Sequence, residues 1–146
     1  METVKIRCKT LCVGDWVANR NGSPMQIVAV DEDNAYACDG NEERPWIFGD
    51  DEGYEPQPIE ITEDILKENK WEVRGYTLLP DEHYCVIYVD KYVFLWSLGT
   101  LSIWFDHKHY NDGVIADIIV SCKYVHQLQQ VLRLAGMTEM ANNFKI

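Results

Sequence analysis

Apolar and polar positions alternate in short runs over the first part of the chain. Residues 4–9 alternate strictly between apolar and basic side chains, which predicts a strand with one buried face. Residues 25–30 and 35–38 are apolar runs separated by an acidic turn, and they predict a hairpin. Residues 11–17 follow the pattern Leu-x-x-Gly-Asp-x-Val, in which Gly14 supplies a bend. These elements predict a small bent N-terminal β unit of the SH3-like barrel type.

The second half of the chain predicts an antiparallel β-meander with two helices. Thr62 can cap a short first helix. Apolar positions recur at helical spacing over residues 122–135, where Ser121 can cap the start and Gly136 can end the helix, leaving residues 137–146 as a loose tail. Between the helices lie five apolar runs separated by turn residues, at 72–78, 84–89, 92–96, 100–105 and 114–120.

The predicted fold class is α+β, and the chain divides at its irregular middle. Pro and Gly residues concentrate between residues 39 and 58, where they interrupt both periodicities. This predicts a barrel-like β unit with an acidic loop at 1–57, followed by helix, meander and C-terminal helix at 58–146. The alternative is one continuous domain over the whole chain.

Strand 92–96 is apolar on both of its faces. A strand that is exposed to solvent on one face alternates apolar with polar residues. Here the residues on both faces are apolar: Tyr92, Phe94 and Trp96 on one, Val93 and Leu95 on the other. Either both faces are covered within one chain or one face packs against a second copy. The pattern therefore predicts a possible homodimer through the meander.

Negative charge is concentrated in one segment. The chain has a formal net charge of −11, while residues 31–68 hold fourteen acidic residues against only Arg44 and Lys67. A field of this sign repels phosphate backbones, so we expect no nucleic-acid binding through this segment. The segment is either a solvated loop that favours solubility or a binding surface for a basic protein partner.

An apolar island interrupts the acidic segment at residues 46–48. A short strand that completes the first sheet accounts for it, and the alternative is an exposed aromatic anchor of the kind found at protein–protein hot spots. The second interpretation selects five partner-binding candidates, which are Trp46, Phe48, Asp50, Asp51 and Tyr54.

Catalytic and metal-binding signals are weak along the whole chain. His107 and His109 lie two residues apart, and Cys122 and His126 lie four apart on the predicted helix, where a thiolate–imidazole pair is possible. Phosphate loops, nucleophile elbows and zinc spacings are absent from the sequence. We therefore expect no catalytic residue, no metal and no cofactor, and keep these four residues as weak functional candidates.

The odd number of cysteines and the lack of a long apolar run indicate the cellular compartment in which the protein is expected. Five cysteines without a Cys-x-x-Cys pair fit reduced thiols better than a disulfide framework. The chain contains no apolar run of membrane-spanning length and no signal-peptide pattern at its start. We expect a cytoplasmic protein without membrane contact.

Three patches in this order resemble a family of small uncharacterised proteins from gut bacteria and their prophages. They are Leu-Cys-Val-Gly-Asp-Trp-Val at 11–17, Pro-Ile-Glu-Ile-Thr-Glu-Asp-Ile-Leu at 58–66, and Tyr-Val-His-Gln-Leu-Gln at 124–129. The chain departs from the pattern at Trp71, where Gly-Phe is expected in place of Lys-Trp, and in a longer acidic loop. The resemblance implies a cytoplasmic accessory protein of a mobile element and carries over no functional residue.

Three functions are compatible with these observations. The first is a non-enzymatic protein–protein interaction or accessory protein, which the concentrated charge and the aromatic island favour. The second is an acidic inhibitor that mimics nucleic acid and occupies a basic host protein. The third is an enzyme that uses His107, His109, or Cys122 together with His126.

Overall fold

The computed structural model describes residues 5–38, 46–51, 53–76, 78, 81–89, 92–105 and 118–146. Contacts group the chain into two units, the first comprising Met1–Glu60, Tyr124–Phe144 and Ile146, and the second comprising Ile61–Lys123 and Lys145. The first unit thus contains residues from both predicted ranges, 1–57 and 58–146, and the division into these ranges stays a prediction. The architecture is α+β, with two antiparallel sheets and a few short helices.

The first unit contains a four-stranded antiparallel sheet. Its strands are β1 (Trp16–Ala18), β2 (Pro24–Val30), β3 (Ala35–Cys38) and β4 (Trp46–Phe48), paired in sequence order. The predicted hairpin is confirmed as β2–β3, with a register shift between Ile27 and Ala29. Because β1 and β4 are the two edges of the order, the described strands form an open sheet and not a closed barrel.

The predicted strand over residues 4–9 is wrong where the structure describes it. Cys8–Thr10 forms a 3-10 helix, whose first amide donates to Asp50 Oδ1 at 2.9 Å. The alternation still predicts burial correctly, since Ile6 and Cys8 are buried. The basic residues that alternate with them, Lys5, Arg7 and Lys9, are exposed. The buried cluster of this unit consists of Ile6, Cys8, Leu11, Val17, Met25, Ile27, Ala35, Ala37 and Phe48.

The second unit is the predicted meander. Strands β5 (Glu72–Gly75), β6 (His83–Val89), β7 (Tyr92–Ser97), β8 (Thr100–Phe105) and β9 (Ile118–Ser121) pair in sequence order, and all the pairs are antiparallel. They follow helix α1 (Glu63–Glu68), whose predicted cap is confirmed because Thr62 Oγ1 accepts from the amide of Ile65 at 3.2 Å.

The two faces of the meander are buried to different extents. Cys85, Phe94 and Leu101 are fully buried on one face. On the other face Val93 and Leu95 are half-buried, and Tyr88, which pairs with Val93, is 56% exposed. A homodimer through this face stays a prediction.

The C-terminal segment is more ordered than its sequence predicts. Helix α2 (Val125–Leu134) begins after Tyr124, so the predicted start at residue 122 and the predicted cap at Ser121 are wrong. Ser121 is the last residue of β9, and Cys122 precedes the helix. The predicted stripe is confirmed, since Val125, Leu128 and Leu132 are fully buried. The predicted loose tail is wrong, since residues Thr138–Asn142 form helix α3 and the carbonyl of Phe144 accepts from Trp16 Nε1 at 2.7 Å.

Every helix among the described residues is too short or too polar to cross a bilayer.

Candidate functional site

A surface cleft of about 290 Å³ lies beside strand β4 in the first unit. The loop after β4 turns back on itself, because the Gly49 amide donates to the Tyr54 carbonyl and the Tyr54 amide donates to the Asp51 carbonyl, both at 3.0 Å. This return places Tyr54 and Glu55 near the strand they follow. We call the depression the aromatic cleft; its walls include Arg20, Trp46, Ile47, Phe48, Tyr54 and Glu55.

The aromatic island at residues 46–48 forms a strand and contributes to the walls of the aromatic cleft. Trp46, Ile47 and Phe48 pair with Ala37, Tyr36 and Ala35 in that order, so the predicted strand that completes the first sheet is confirmed. Phe48 is 1% exposed and belongs to the core. The exposed apolar surface instead comes from Ile47, at 55%, and Tyr54, at 61%.

Two opposite charges line the aromatic cleft. The guanidinium carbon of Arg20 lies over the Trp46 ring, 5.7 Å from its centroid, in a cation–π contact. The Oε2 atom of Glu55 is shielded from solvent and has no hydrogen-bond partner in the described part of the chain. Neither Arg20 nor Glu55 takes part in the ion pairs found among the described residues.

The structure separates the five predicted partner-binding residues. Trp46, Phe48 and Tyr54 line the aromatic cleft. Asp50 accepts from the amide of Cys8, a bond that lowers the pKa of its carboxyl group, so this carboxylate caps the 3-10 helix. Asp51 is exposed and contributes a backbone carbonyl to the loop.

Sequence reasoning missed Arg20, Ile47 and Glu55 as cleft residues. The sequence contained a signal for Ile47. Successive side chains of a strand point to opposite faces, so burial of its two aromatic neighbours would leave Ile47 exposed. Arg20 lies in the turn after β1 and reaches Trp46 only through the folding of the sheet. Glu55 is one of fourteen acidic residues in its segment, so nothing in the sequence distinguishes it.

The weak functional candidates show no reactive arrangement where they are described. Burial raises the pKa of the Cys122 thiol to about 12, which keeps it protonated at neutral pH. The Nδ1 atom of His126 is buried without a hydrogen-bond partner in the described part of the chain. His107 and His109 lie outside the described residues. The described residues contain no group of three side chains that could hold a metal ion.

Thiol reactivity provides a test of the Cys122 environment. Burial also raises the pKa of Cys8 and Cys85, in both cases to about 11, whereas Cys12 is exposed. We expect a maleimide to label Cys12 rapidly at about pH 7.5 and to label these three buried thiols only after denaturation. Mass spectrometry compares maleimide labelling of the wild-type protein with labelling of Cys12→Ser, in which the fast reaction should be lost. Rapid labelling of Cys122 in the folded protein would contradict this description.

A second group of polar side chains in the first unit is buried or half-buried, and it joins the loop at residues 11–17 to helix α2. Asp15 is fully buried and forms an ion pair with Arg133, and its Oδ2 atom accepts from Gln130 at 2.9 Å. Gln129 is also fully buried and donates to the Gly14 carbonyl at 2.7 Å. We call this group the buried polar cluster; it consists of Asp15, Gln129, Gln130 and Arg133.

Close backbone approach explains the glycine of the Leu-x-x-Gly-Asp-x-Val pattern. Gly14 has a φ of +97°, and a Cβ atom placed there would lie 2.8 Å from Asn142 Oδ1 and 3.0 Å from Arg133 Nη2. A side chain at this position would disturb the guanidinium that pairs with Asp15. The polar atoms of this cluster bond to one another and to backbone groups, so its role is structural.

Burial of His126 next to this cluster makes the folded protein sensitive to acid. Burial lowers the pKa of His126 below its usual value of 6.5, and the charge of Asp15 opposes the shift. The unfolded chain therefore binds a proton at a higher pH than the folded chain does, and stability falls as the pH drops through 6.5.

We expect His126→Gln to reduce the loss of stability between about pH 7.5 and about pH 5.5. Urea denaturation at several pH values measures this loss. His83→Gln is the matched control, because His83 is exposed and its Nδ1 lies 3.4 Å from Glu63. An unchanged pH dependence in His126→Gln would refute the assignment.

No family model matches this chain, and neither the curated proteins nor the solved structures contain a match to it.

Proposed function

We propose that this protein is a non-enzymatic cytoplasmic accessory protein that binds a protein partner through the aromatic cleft. The observation that carries the proposal is the cleft itself, which is lined by Trp46 and by the exposed side chains of Ile47 and Tyr54. Protein-binding hot spots are enriched in tryptophan and tyrosine that are packed against a scaffold. Strand β4 supplies this scaffold, because it pairs with β3 and anchors Phe48 in the core.

The chemistry of the described residues supports binding over catalysis. A catalytic thiol needs a lowered pKa and a base within reach, whereas the pKa of Cys122 is about 12. Free thiols at all five cysteines support a reducing compartment. We further propose that the open first sheet is a relative of the SH3-like type, which serves as a platform for the cleft.

Nucleic-acid mimicry is less well supported by the described carboxylates. Asp31 accepts from the amides of Asp33 and Asn34 and from the Tyr36 hydroxyl, at 2.7 to 2.9 Å. Asp50 is committed to the 3-10 helix. Carboxylates that fix local turns are not free to form a regular row of charges.

Peptide display tests the proposed function. A library of random short peptides is selected on the wild-type protein and then screened against Ile47→Ser and Tyr54→Ser. Val28→Ser is the matched control, because Val28 is 46% exposed on strand β2 and does not line the cleft. We expect selected peptides to lose about tenfold in affinity on either cleft variant and to retain it on Val28→Ser. Peptides that bind all four proteins equally, or no enrichment at all, would refute the proposal.

A further inference from the structure

We infer that the aromatic cleft recognises a lysine or arginine side chain of a basic partner segment, with the cation over Trp46 and beside Glu55. This inference rests on the proposed function and names the chemistry of the partner. It depends on three observations: the guanidinium of Arg20 lies over the Trp46 ring, a carboxylate oxygen of Glu55 has no partner among the described residues, and the surrounding segment is negatively charged.

Arg20 shows that the Trp46 ring can hold a cation. Its guanidinium carbon lies 5.7 Å from the ring centroid, within the range of an attractive cation–π contact. Arg20 lies in an exposed turn after β1, and no ion pair among the described residues holds it there. An incoming cation can therefore replace it without breaking a described salt bridge.

Glu55 supplies the second part of the cation site. Its Oε2 atom is shielded from solvent, and no described donor compensates it. A shielded carboxylate oxygen without a donor loses the hydrogen bonds that water would otherwise provide. A lysine ammonium or arginine guanidinium restores such a bond as a charge-assisted one, which is stronger than a neutral hydrogen bond.

The charge of the segment selects a cation over an anion. Residues 31–68 carry fourteen acidic and two basic residues, and Trp46, Tyr54 and Glu55 lie within this segment. The resulting field attracts basic peptides and repels acidic ones before contact is made. Tyr54, at 61% exposure, adds a second ring that a long aliphatic stem can cover.

Matched peptides on the wild-type protein provide the first test. Labelled alanine-based peptides with one central lysine, arginine, norleucine or glutamate are titrated by fluorescence anisotropy. We expect lysine and arginine peptides to bind about tenfold more tightly than norleucine, which has a similar stem without a charge, and glutamate to bind most weakly. Equal binding of lysine and norleucine peptides, or tighter binding of the glutamate peptide, would overturn the inference.

Variants of the cleft provide the second test. Glu55→Gln keeps the shape of the side chain and removes its charge, and Glu60→Gln is the control because Glu60 is exposed in the same acidic segment. We expect Glu55→Gln to weaken lysine binding about fivefold and to leave norleucine binding unchanged, while Glu60→Gln changes lysine binding less than about twofold. Equal effects of the two variants would indicate bulk charge and would overturn the inference.

Removal of the internal cation provides the third test. We expect Arg20→Ala to strengthen lysine binding about threefold, because the competing guanidinium is gone. Lys9→Ala removes one exposed positive charge of the same unit and serves as control.

If display peptides depend on Tyr54 but do not need a cation, this inference fails and the proposed function stands. If no peptide depends on Ile47 or Tyr54, the proposed function itself fails.

Discussion

Asp15→Ala is expected to lower the free energy of unfolding by about 3–5 kcal/mol, the largest effect of any single substitution considered. Asp15 is fully buried, and its carboxylate pairs with Arg133, whose side chain is only 15% exposed. The same carboxylate accepts from the amide of Cys12 and from Gln130 Nε2, both at 2.9 Å. Alanine removes all three acceptor contacts and leaves a shielded guanidinium without its counter-charge.

Urea denaturation followed by circular dichroism measures this loss. Asp51→Ala is the matched control, because Asp51 is exposed and contributes only its backbone to the described hydrogen bonds; we expect a change within about 0.5 kcal/mol there. The double variant Asp15→Leu with Arg133→Met should recover part of the stability, since it removes both charges together. A loss below about 1 kcal/mol in Asp15→Ala would contradict the description of this ion pair.

Gln129→Leu is expected to lower the free energy of unfolding by about 3 kcal/mol. Gln129 is fully buried on helix α2; its Oε1 accepts from the amide of Trp16 at 2.8 Å, and its Nε2 donates to the carbonyls of Gly14 and Ala141 at 2.7 and 3.0 Å. Leucine has a similar volume, so the packing is kept while three backbone groups each lose a hydrogen bond. The Gly14 carbonyl keeps the bond from Gln26 and the Ala141 carbonyl keeps the bond from the Phe144 amide, whereas the Trp16 amide loses the acceptor that Gln129 provides. Each unsatisfied buried group costs about 1–3 kcal/mol, offset in part by the apolar gain.

Gln57→Leu is the control for this substitution. Gln57 is half-buried and makes one described side-chain bond, a long one of 3.4 Å to the Glu55 carbonyl. We expect its loss of stability to stay below about 1 kcal/mol in the same denaturation experiment. Equal effects at Gln57 and Gln129 would mean that the three bonds of Gln129 do not stabilise the fold.

Much of the fold could be predicted because periodicity reports burial. The meander and the buried stripe of helix α2 follow from side chains that recur every two residues and at helical spacing. The sequence could not predict the burial of Asp15 and Gln129, because residues of these types usually face solvent. Asp15 pairs with Arg133 and Gln129 bonds to Gly14, in both cases across more than a hundred residues of sequence, and only the folded chain brings these partners together.

The same limit applies to the functional site. The aromatic island at residues 46–48 could be recognised, and its strand is confirmed. The sequence could not identify Arg20 and Glu55 as site residues, because only the folded chain places their charges in the walls of the same cleft. The motifs at residues 11–17 and 124–129 contact each other through Gly14 and Gln129, so packing explains the residue types at these two positions.

Chemical-shift mapping tests the account most directly. The isotope-labelled wild-type protein is titrated with the alanine-based lysine peptide, and changes are followed at backbone amides and at the indole groups. The account predicts saturable shifts at the Trp46 indole and at the amides of Ile47, Tyr54 and Glu55, with the strands of the meander unaffected. Shifts centred on the meander, or spread over the acidic surface without saturation, would contradict it.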